Sequence, residues 1–230
     1  MAHDHGKHDH GHDHDGHEHH AHEHHDHGHH DHGHHHHGDG HHHWESADYV
    51  RSWIARDGER RSERDLIVTR LIAAVPYPRD AAISVLDVGG GAGVIAAAVL
   101  DAFPRAVVTV QDYSPHMLDG ARERLSRHSA RVLYVLSDLT DPSWAKGVGG
   151  PFDLAVSGIA IHNLHEMAAI AACYEAVNGL LKPGGAFLDY DHFDRVGGVP
   201  LHQHMLKVAG FKSADVIWHE HPTAVVKASV

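Results

Sequence analysis

The stretch Val85-Leu86-Asp87-Val88-Gly89-Gly90-Gly91-Ala92-Gly93 constrains this chain more than any other. Ile83 to Val88 is apolar and β-branched enough for a parallel strand covered on both faces. Gly89, Gly91 and Gly93 permit a tight turn and close approach to the backbone. Val94 to Leu100 continues as a helix without a breaker, so the unsatisfied N–H groups at its start point back toward the loop. The pattern predicts a nucleotide-type ligand at the carboxyl end of the strand.

Spacing narrows the choice of ligand. A dinucleotide fingerprint, G-x-G-x-x-G, wants a third small residue where helix and strand pack. Counting from Gly89, that place falls on Val94, which argues against NAD. A second apolar run, Ala106 to Val110, is followed by Asp112, where doubly wound nucleotide folds keep a ribose-binding acid.

With these residues in place, the chain resembles the class I S-adenosylmethionine-dependent methyltransferases. Asp87, Gly89, Gly91 and Gly93 match the first motif, and Asp112 in Gln111-Asp112-Tyr113-Ser114-Pro115-His116-Met117-Leu118 matches the second-strand acid. Ser137-Asp138-Leu139 resembles the motif that reads the adenine. Pro151 to Ser157 resembles the fourth strand with its lead-in, and Leu180 to Gly185 the turn before the fifth. The resemblance covers roughly residues 46–230. It implies an α/β fold: a Rossmann-like, doubly wound, seven-stranded, mostly parallel sheet with an antiparallel last strand, which composition leads us to expect after a disordered histidine-rich tail. It also implies S-adenosylmethionine as cofactor, bound by Asp87, Gly89, Gly91, Gly93, Asp112, Tyr113, Met117, Asp138, Leu139 and Ser157. Core packing explains a methionine at position 117 equally well.

Composition divides the chain in two. Residues 1–43 hold 23 of the 32 histidines with nine acids and one lysine, and carry almost nothing apolar, so they cannot build a core. The remaining residues, 44–230, suit one domain of ordinary size. Of the net charge of −12, the tail accounts for −8 with histidine neutral, which leaves −4 on the domain. Neither part is basic enough for a nucleic-acid partner. The single Cys173 excludes an internal disulfide, no apolar run is long enough for a membrane span, and no secretory signal is present. The expected location is cytoplasmic.

The tail differs from a purification tag, because its longest run is only His34 to His37 and elsewhere histidine alternates with Asp, Gly and Glu. Neutral imidazole suits nickel, zinc, cobalt and copper, and neighbouring carboxylates can complete or orient such ligands. His17, His19, His20, His34, His35, His36 and His37 are the representative ligands of a degenerate divalent-metal binder, better fitted to storage or buffering than to catalysis. Protonation of the histidines below their ordinary pKa of about 6.5 would release such ions.

Next to the tail, residues 44–80 read as a helical cap or lid. Trp44 to Ile54 forms a helix with Ser46 as a cap and Tyr49, Val50, Trp53 and Ile54 as an apolar stripe. That stripe suits plain core packing as well as a lid over the methionine end of the cofactor. A second helix near Arg61 to Val75 turns Leu66, Ile67, Leu71 and Ile72 to one side and stops before Pro76. Arginines around it interleave with acids, as on a solvated face. Later, a helix from about Glu166 to Leu181 turns Cys173 inward, the fifth strand spans Ala186 to His192, and two closing strands, Lys212–Trp218 and Thr223–Ala228, flank an exposed His219-Glu220-His221-Pro222 turn.

His162, Asp191 and His192 are the catalytic candidates. His162 follows the fourth strand at its carboxyl end, where a neutral histidine suits proton removal near pH 7. The alternative is that it caps or packs against the next helix. Asp191 and His192 are competing bases at the exit of the fifth strand. The fourth-strand exit, Ser157-Gly158-Ile159-Ala160, lacks the Asn-Pro-Pro-Tyr type of motif associated with methylation of nucleobase or amide nitrogen. A small-molecule methyl acceptor is therefore expected. The favoured function is a methyltransferase with an accessory metal-binding tail. The alternatives are a metal-handling protein that binds S-adenosylmethionine without turnover, and a nucleotide-dependent oxidoreductase.

Overall fold

The computed structural model describes residues 43–59 and 61–230. Seven strands form one sheet: β1 (Ser84–Val88), β2 (Val107–Asp112), β3 (Val132–Leu136), β4 (Phe152–Gly158), β5 (Leu181–Asp191), β6 (Ser213–Glu220) and β7 (Thr223–Ser229). Their order is β3-β2-β1-β4-β5-β7-β6. β1 to β5 pair in parallel, while β7 runs antiparallel between β5 and β6. The mostly parallel, doubly wound sheet with an antiparallel last strand is as expected. Because the chain leaves β3 at one edge and returns beside β1 as β4, the strand order reverses at β1 and β4, and a crevice opens above their carboxyl ends.

Both faces are covered, which explains why the strands read as nearly continuous apolar runs. On one face α2 (Arg61–Ala73), α3 (Val94–Ala102) and α4 (Pro115–Arg124) bury Ile67, Leu71, Val99, Leu100 and Leu118 against Val85, Val108 and Leu188. On the other, α5 (Trp144–Gly147), α6 (Met167–Leu180) and α7 (Val199–Val208) bury Trp144, Ile170, Tyr174 and Leu206 against Leu86, Phe187 and Val226. Each fully buried aliphatic side chain contributes about 1.5–3 kcal/mol, far above a helix-propensity difference. Cys173 lies within this second layer.

Several local expectations need correction. Leu66 is 56% exposed, while Ile67, Val68, Leu71, Ile72 and Val75 are buried. The inward stripe of α2 therefore starts one residue later than expected. β5 begins at Leu181 rather than Ala186: Leu181 pairs with Phe152 before a register shift. Residues expected as a turn thus belong to the strand. His219 and Glu220 end β6, so the closing turn is shorter than the four-residue stretch expected.

The first helix, α1 (Ala47–Glu59), starts where Ser46 Oγ accepts from the Tyr49 N–H at 3.3 Å. Val50 is buried with Ala92 and Met117, and Trp44, Trp53 and Ile54 pack on that group. This small third cluster holds the segment after the tail against the glycine loop. Trp44 also meets Tyr49 and Trp53 edge-on, with ring centroids 5.2 and 5.4 Å apart.

The glycines of the loop answer different demands. Gly89 (φ +60°) and Gly93 (φ +74°) are left-handed, and a Cβ on them would lie 2.5 Å from Ala160 Cβ and 3.0 Å from Leu125 Cδ1, respectively. Among the described residues, Gly91 (φ +53°) faces open space, with only Met117 Sδ within reach at 3.8 Å. Replacing Gly89 by Ala adds left-handed strain to a steric overlap, so Gly89→Ala is expected to lose about 2–5 kcal/mol of stability. Urea unfolding reads the loss, and a loss below that range would mean that the loop relaxes away from Ala160.

Candidate functional site

At the rim of the sheet, aspartates at the strand ends use their carboxylates to hold the loops. Asp87, on β1, is fully buried, and its Oδ2 accepts the Ala96 N–H at 3.0 Å. That satisfies one of the orphan donors of α3, whose N-cap Gly93 has no side chain to do so. Oδ1 of Asp87 has no hydrogen-bond partner among the described residues. Burial pushes the Asp87 carboxyl up to about 7, one backbone N–H opposes the shift, and the Asp112 charge adds to it.

Asp112, the last residue of β2, receives more help. Its Oδ2 accepts from Gly91 N at 2.9 Å and its Oδ1 from Ser114 N at 2.8 Å. Burial still raises its pKa, against the hydrogen bonds from Ser114, Gly91 and Tyr113. Asp112 thus fixes the very glycine that faces open space. Tyr113 is 38% exposed beside it, and burial and then the Asp112, Asp138 and Glu45 charges push its hydroxyl up to about 12. With His43, Trp44, Glu45 and Ser46, Tyr113 lines an open cavity of about 450 Å³.

Sequence reasoning missed two residues here. Gln111 is buried; its Oε1 accepts from Gly89 N at 2.9 Å, and its Nε2 donates to the Ser137 carbonyl at 2.6 Å. It ties the glycine loop to the exit of β3. The signal was a long polar residue inside an otherwise apolar strand, since such a side chain is buried only when its amide is satisfied. Ser114 caps α4 by accepting from Met117 N at 3.2 Å and donates to the Trp44 carbonyl at 2.5 Å, which anchors the α1 segment.

The other nominated cofactor residues are spread around this loop. Met117 is buried with Val50 and Ala92. Asp138 is exposed, its Oδ1 accepting from Thr140 N at 2.8 Å, and Leu139 is partly buried against the second core layer. Ser157 is wholly buried, and its hydroxyl donates to the Val88 carbonyl at 3.0 Å. In this position it ties β4 to β1 directly below the loop.

The three catalytic candidates, considered separately in sequence, meet in one cluster. Asp191 Oδ2 accepts from His162 N at 2.9 Å, while its Oδ1 lies 2.5 Å from His162 Nδ1 and accepts from His192 N at 2.7 Å. Side-chain exposure is 11% for His162 and 3% for Asp191. A carboxylate beside Nδ1 selects the tautomer with its proton there and leaves Nε2 as the acceptor nitrogen. The His192 ring lies edge-on at 5.2 Å from that of His162, and its Nδ1 is 2.8 Å from Thr223 Oγ1 at the start of β7. Thr223 is a further participant that the sequence did not reveal. His162 sits in a short 3-10 turn, Ile161–Leu164, flanked by left-handed Ile159 (φ +54°) and His165 (φ +57°). For β-branched Ile159 that conformation is strained, and such strain gathers at functional sites.

His219 and His221 turn toward one oxygen of Asp194, at 3.0 and 2.9 Å, across an exposed surface. Among the described residues, no group of three or more His, Cys, Asp or Glu side chains is arranged to hold a metal ion. The nominated metal ligands His17, His19, His20 and His34 to His37 lie outside the described residues. No described helix is long and apolar enough to cross a membrane.

Comparison with known proteins bears on this arrangement. Residues 85–185 match the family of methyltransferase domains. The chain is 46% identical over 76 residues to a release factor glutamine methyltransferase of Chlorobaculum tepidum, covering 32% of this chain and 26% of that protein. It is 37% identical over 79 residues to a malonyl-(acyl-carrier protein) O-methyltransferase of Neorickettsia risticii, covering 34% and 28%. The chain thus spans little more than a quarter of either relative's length. The structure of an O-methyltransferase family protein from Burkholderia thailandensis shares the fold, with a TM-score of 0.64 over 80% of this chain and 59% of its own, at 19% identity. The glycine loop, the second-strand acid and the strand order agree with this match to methyltransferase domains over residues 85–185, and the fold is the one seen in the O-methyltransferase family protein.

Proposed function

We propose that residues 44–230 transfer a methyl group from S-adenosylmethionine to a small-molecule acceptor, with His162 as general base and Asp191 as the residue that orients it. The observation that carries this reading is the pairing of His162 Nδ1 with Asp191 at the carboxyl rim, two strands from the buried acid that fixes Gly91. S-adenosylmethionine, when bound, supplies a methyl group already activated on a sulfonium.

The residues present fit that cofactor. Gly91 offers backbone with open space before it, and Asp112 is an acid held at the second-strand terminus by two backbone N–H groups. In this reading Gly89, Gly91 and Gly93 admit the cofactor, Asp112 with Tyr113 takes the ribose hydroxyls, and Met117, Asp138 and Leu139 meet the adenine. Asp87 shapes the start of α3, and Ser157 supports the loop from below.

The chain's own chemical task is then small. An in-line displacement needs the acceptor placed and kept from water, which is chiefly positional. A phenol, carboxylic acid or ammonium acceptor must also lose a proton, and His162 Nε2 is the basic atom that Asp191 leaves available. The α1 segment, packed over Ala92 and Met117, serves as the cap of the site.

The relatives' names give different acceptors, a release-factor glutamine in one and malonyl-(acyl-carrier protein) in the other. Kinship over this short stretch does not choose between them. The absence of an Asn-Pro-Pro-Tyr type of exit after β4, together with the acidic domain, supports a small acceptor over a nucleobase or protein amide. The histidine-rich residues 1–43 are proposed, on composition alone, as an accessory binder of divalent nickel, zinc, cobalt or copper.

Three outcomes test the proposal. Asp112→Ala removes charge-assisted hydrogen bonds valued at about 1.5–3 kcal/mol each, so calorimetry should find S-adenosylmethionine bound at least tenfold more weakly. Unchanged affinity would remove Asp112 from the cofactor site. With an acceptor identified by screening metabolite pools with labelled cofactor, His162→Ala should lower turnover by roughly 10²–10⁴ at nearly constant cofactor affinity. Native turnover in that variant would shift the role to Asp191 and His192, or leave proximity alone to drive the reaction. Deleting residues 1–43 should remove most bound metal, read by elemental analysis, while turnover stays near its full-chain value. Loss of turnover that added metal restores would bring the tail into the mechanism.

A further inference from the structure

Behind the candidate base lies a buried polar chain that methyl transfer does not use. Asp189 stands two residues before Asp191 on β5, and alternation puts both on the face covered by α6 and α7. Tyr174 of α6 places its hydroxyl 3.3 Å from Asp189 Oδ2 and 2.7 Å from Nδ1 of His202 on α7. His202 Nε2 lies 2.8 Å from the Val196 carbonyl, in the segment that leads from Asp191 and His192 to α7. Asp189 and Tyr174 are fully buried, and His202 is 1% exposed.

The direction of these bonds can be worked out. A carbonyl only accepts, so His202 Nε2 carries a proton. Two arrangements satisfy that condition. In the first, His202 is neutral, its Nδ1 accepts the Tyr174 proton, and the Tyr174 oxygen can only accept from Asp189, which must be a protonated acid. In the second, His202 is doubly protonated and donates to Tyr174, which donates to an ionised Asp189. The second puts two charges in the core with a tyrosine between them, and buried charge is costly without direct pairing.

Burial, the largest influence on both groups, favours the neutral form, while the Tyr174 hydrogen bond opposes it at Asp189. Burial raises Asp189 well above the ordinary carboxylate range, and the Asp191 charge adds to this. Burial lowers His202, against the Val196 hydrogen bond and the Asp191 charge. The titratable groups facing this chain are Asp189 and Asp191 from β5, Cys173 and Tyr174 from α6, and His202 from α7. Oδ1 of Asp189 has no hydrogen-bond partner among the described residues, a position easier for a neutral acid than for a carboxylate.

We propose that Asp189, Tyr174 and His202 form a one-way chain of neutral donors, from the Asp189 O–H through Tyr174 and His202 to the Val196 carbonyl, that braces the segment after β5 behind the His162–Asp191 pair. Its value to a base rests on the function proposed above; the protonation state does not. Asp189 and His202 are positioning residues, and a neutral Asp189 leaves Asp191 the single carboxylate charge on that face of β5. Loss of the Asp189 proton would remove the donor to Tyr174 and put a second negative charge about 6.6 Å along the strand from Asp191.

The test is urea unfolding of the full chain and of Asp189→Asn at pH 5, 6, 7 and 8. Asn keeps a neutral donor toward Tyr174. In the native protein, folding above the unfolded carboxyl pKa of about 3.9 must take up a proton, so wild-type stability falls relative to the variant as pH rises. The ratio of folding constants, variant over wild type, should climb about tenfold per pH unit. Titration of His202 and Asp87 occurs in both proteins and cancels from the ratio. A ratio constant from pH 5 to 8 would mean that Asp189 is ionised in the fold and would overturn the proposal. Should the variant not fold, carboxyl-carbon NMR of the aspartate-labelled full chain decides, with the Asp87 and Asp112 signals assigned from Asp87→Asn and Asp112→Asn: a further carboxyl still protonated at pH 8 supports the brace, and none refutes it.

Discussion

The site depends on carboxylates accepting backbone N–H groups at the carboxyl rim of the sheet. Strands end there and the chain must turn, and each turn exposes amide donors that the ladder no longer pairs. Asp87 takes Ala96, Asp112 takes Gly91 and Ser114, and Asp191 takes His162 and His192. These bonds set where α3 starts, how the glycine loop stands and how the His162 turn is held. A ligand-binding crevice built this way is fixed before the ligand arrives, which is what positional catalysis needs.

The aspartates of this rim and the strand behind it differ in how much compensation they receive for burial. Asp112 accepts from the Gly91 and Ser114 N–H groups against its desolvation, whereas Asp87 accepts from one backbone N–H and is driven to about 7. Asp189, in the interior, receives none from the backbone among the described residues, and the neutral acid is its low-cost state. The two carboxylates best supplied, Asp112 and Asp191, are the two to which the proposed function gives an ionic task.

The fold was legible because its signals are local and repeated. A glycine loop after a buried strand, apolar runs at even intervals and acids at two strand ends specify a doubly wound sheet with few competitors. Boundaries were harder: Leu181 joins β5 through pairing with Phe152, a contact between residues distant in the chain. Site chemistry was half legible. His162, Asp191 and His192 were each visible as rim residues, but their union depends on the register that sets Gly158 opposite Tyr190 and so brings the exits of β4 and β5 together. Gln111 and Thr223 were missed because their partners, the Gly89 amide and the His192 ring, emerge only from that three-dimensional arrangement.

The segment that leads into α1 is tied to the same network immediately after the histidine-rich stretch. Trp44 is the first large apolar residue after residues 1–43, and its carbonyl is tied to Ser114, the residue that also caps α4 and gives its own N–H to Asp112. One serine thus joins three things: the start of the cap, the start of α4 and the carboxylate that fixes Gly91. Removing the Trp44 anchor would free one end of α1 and uncover Met117 and Ala92. From the Trp44 carbonyl to the Gly91 amide the path runs through three hydrogen bonds, by way of Ser114 and Asp112.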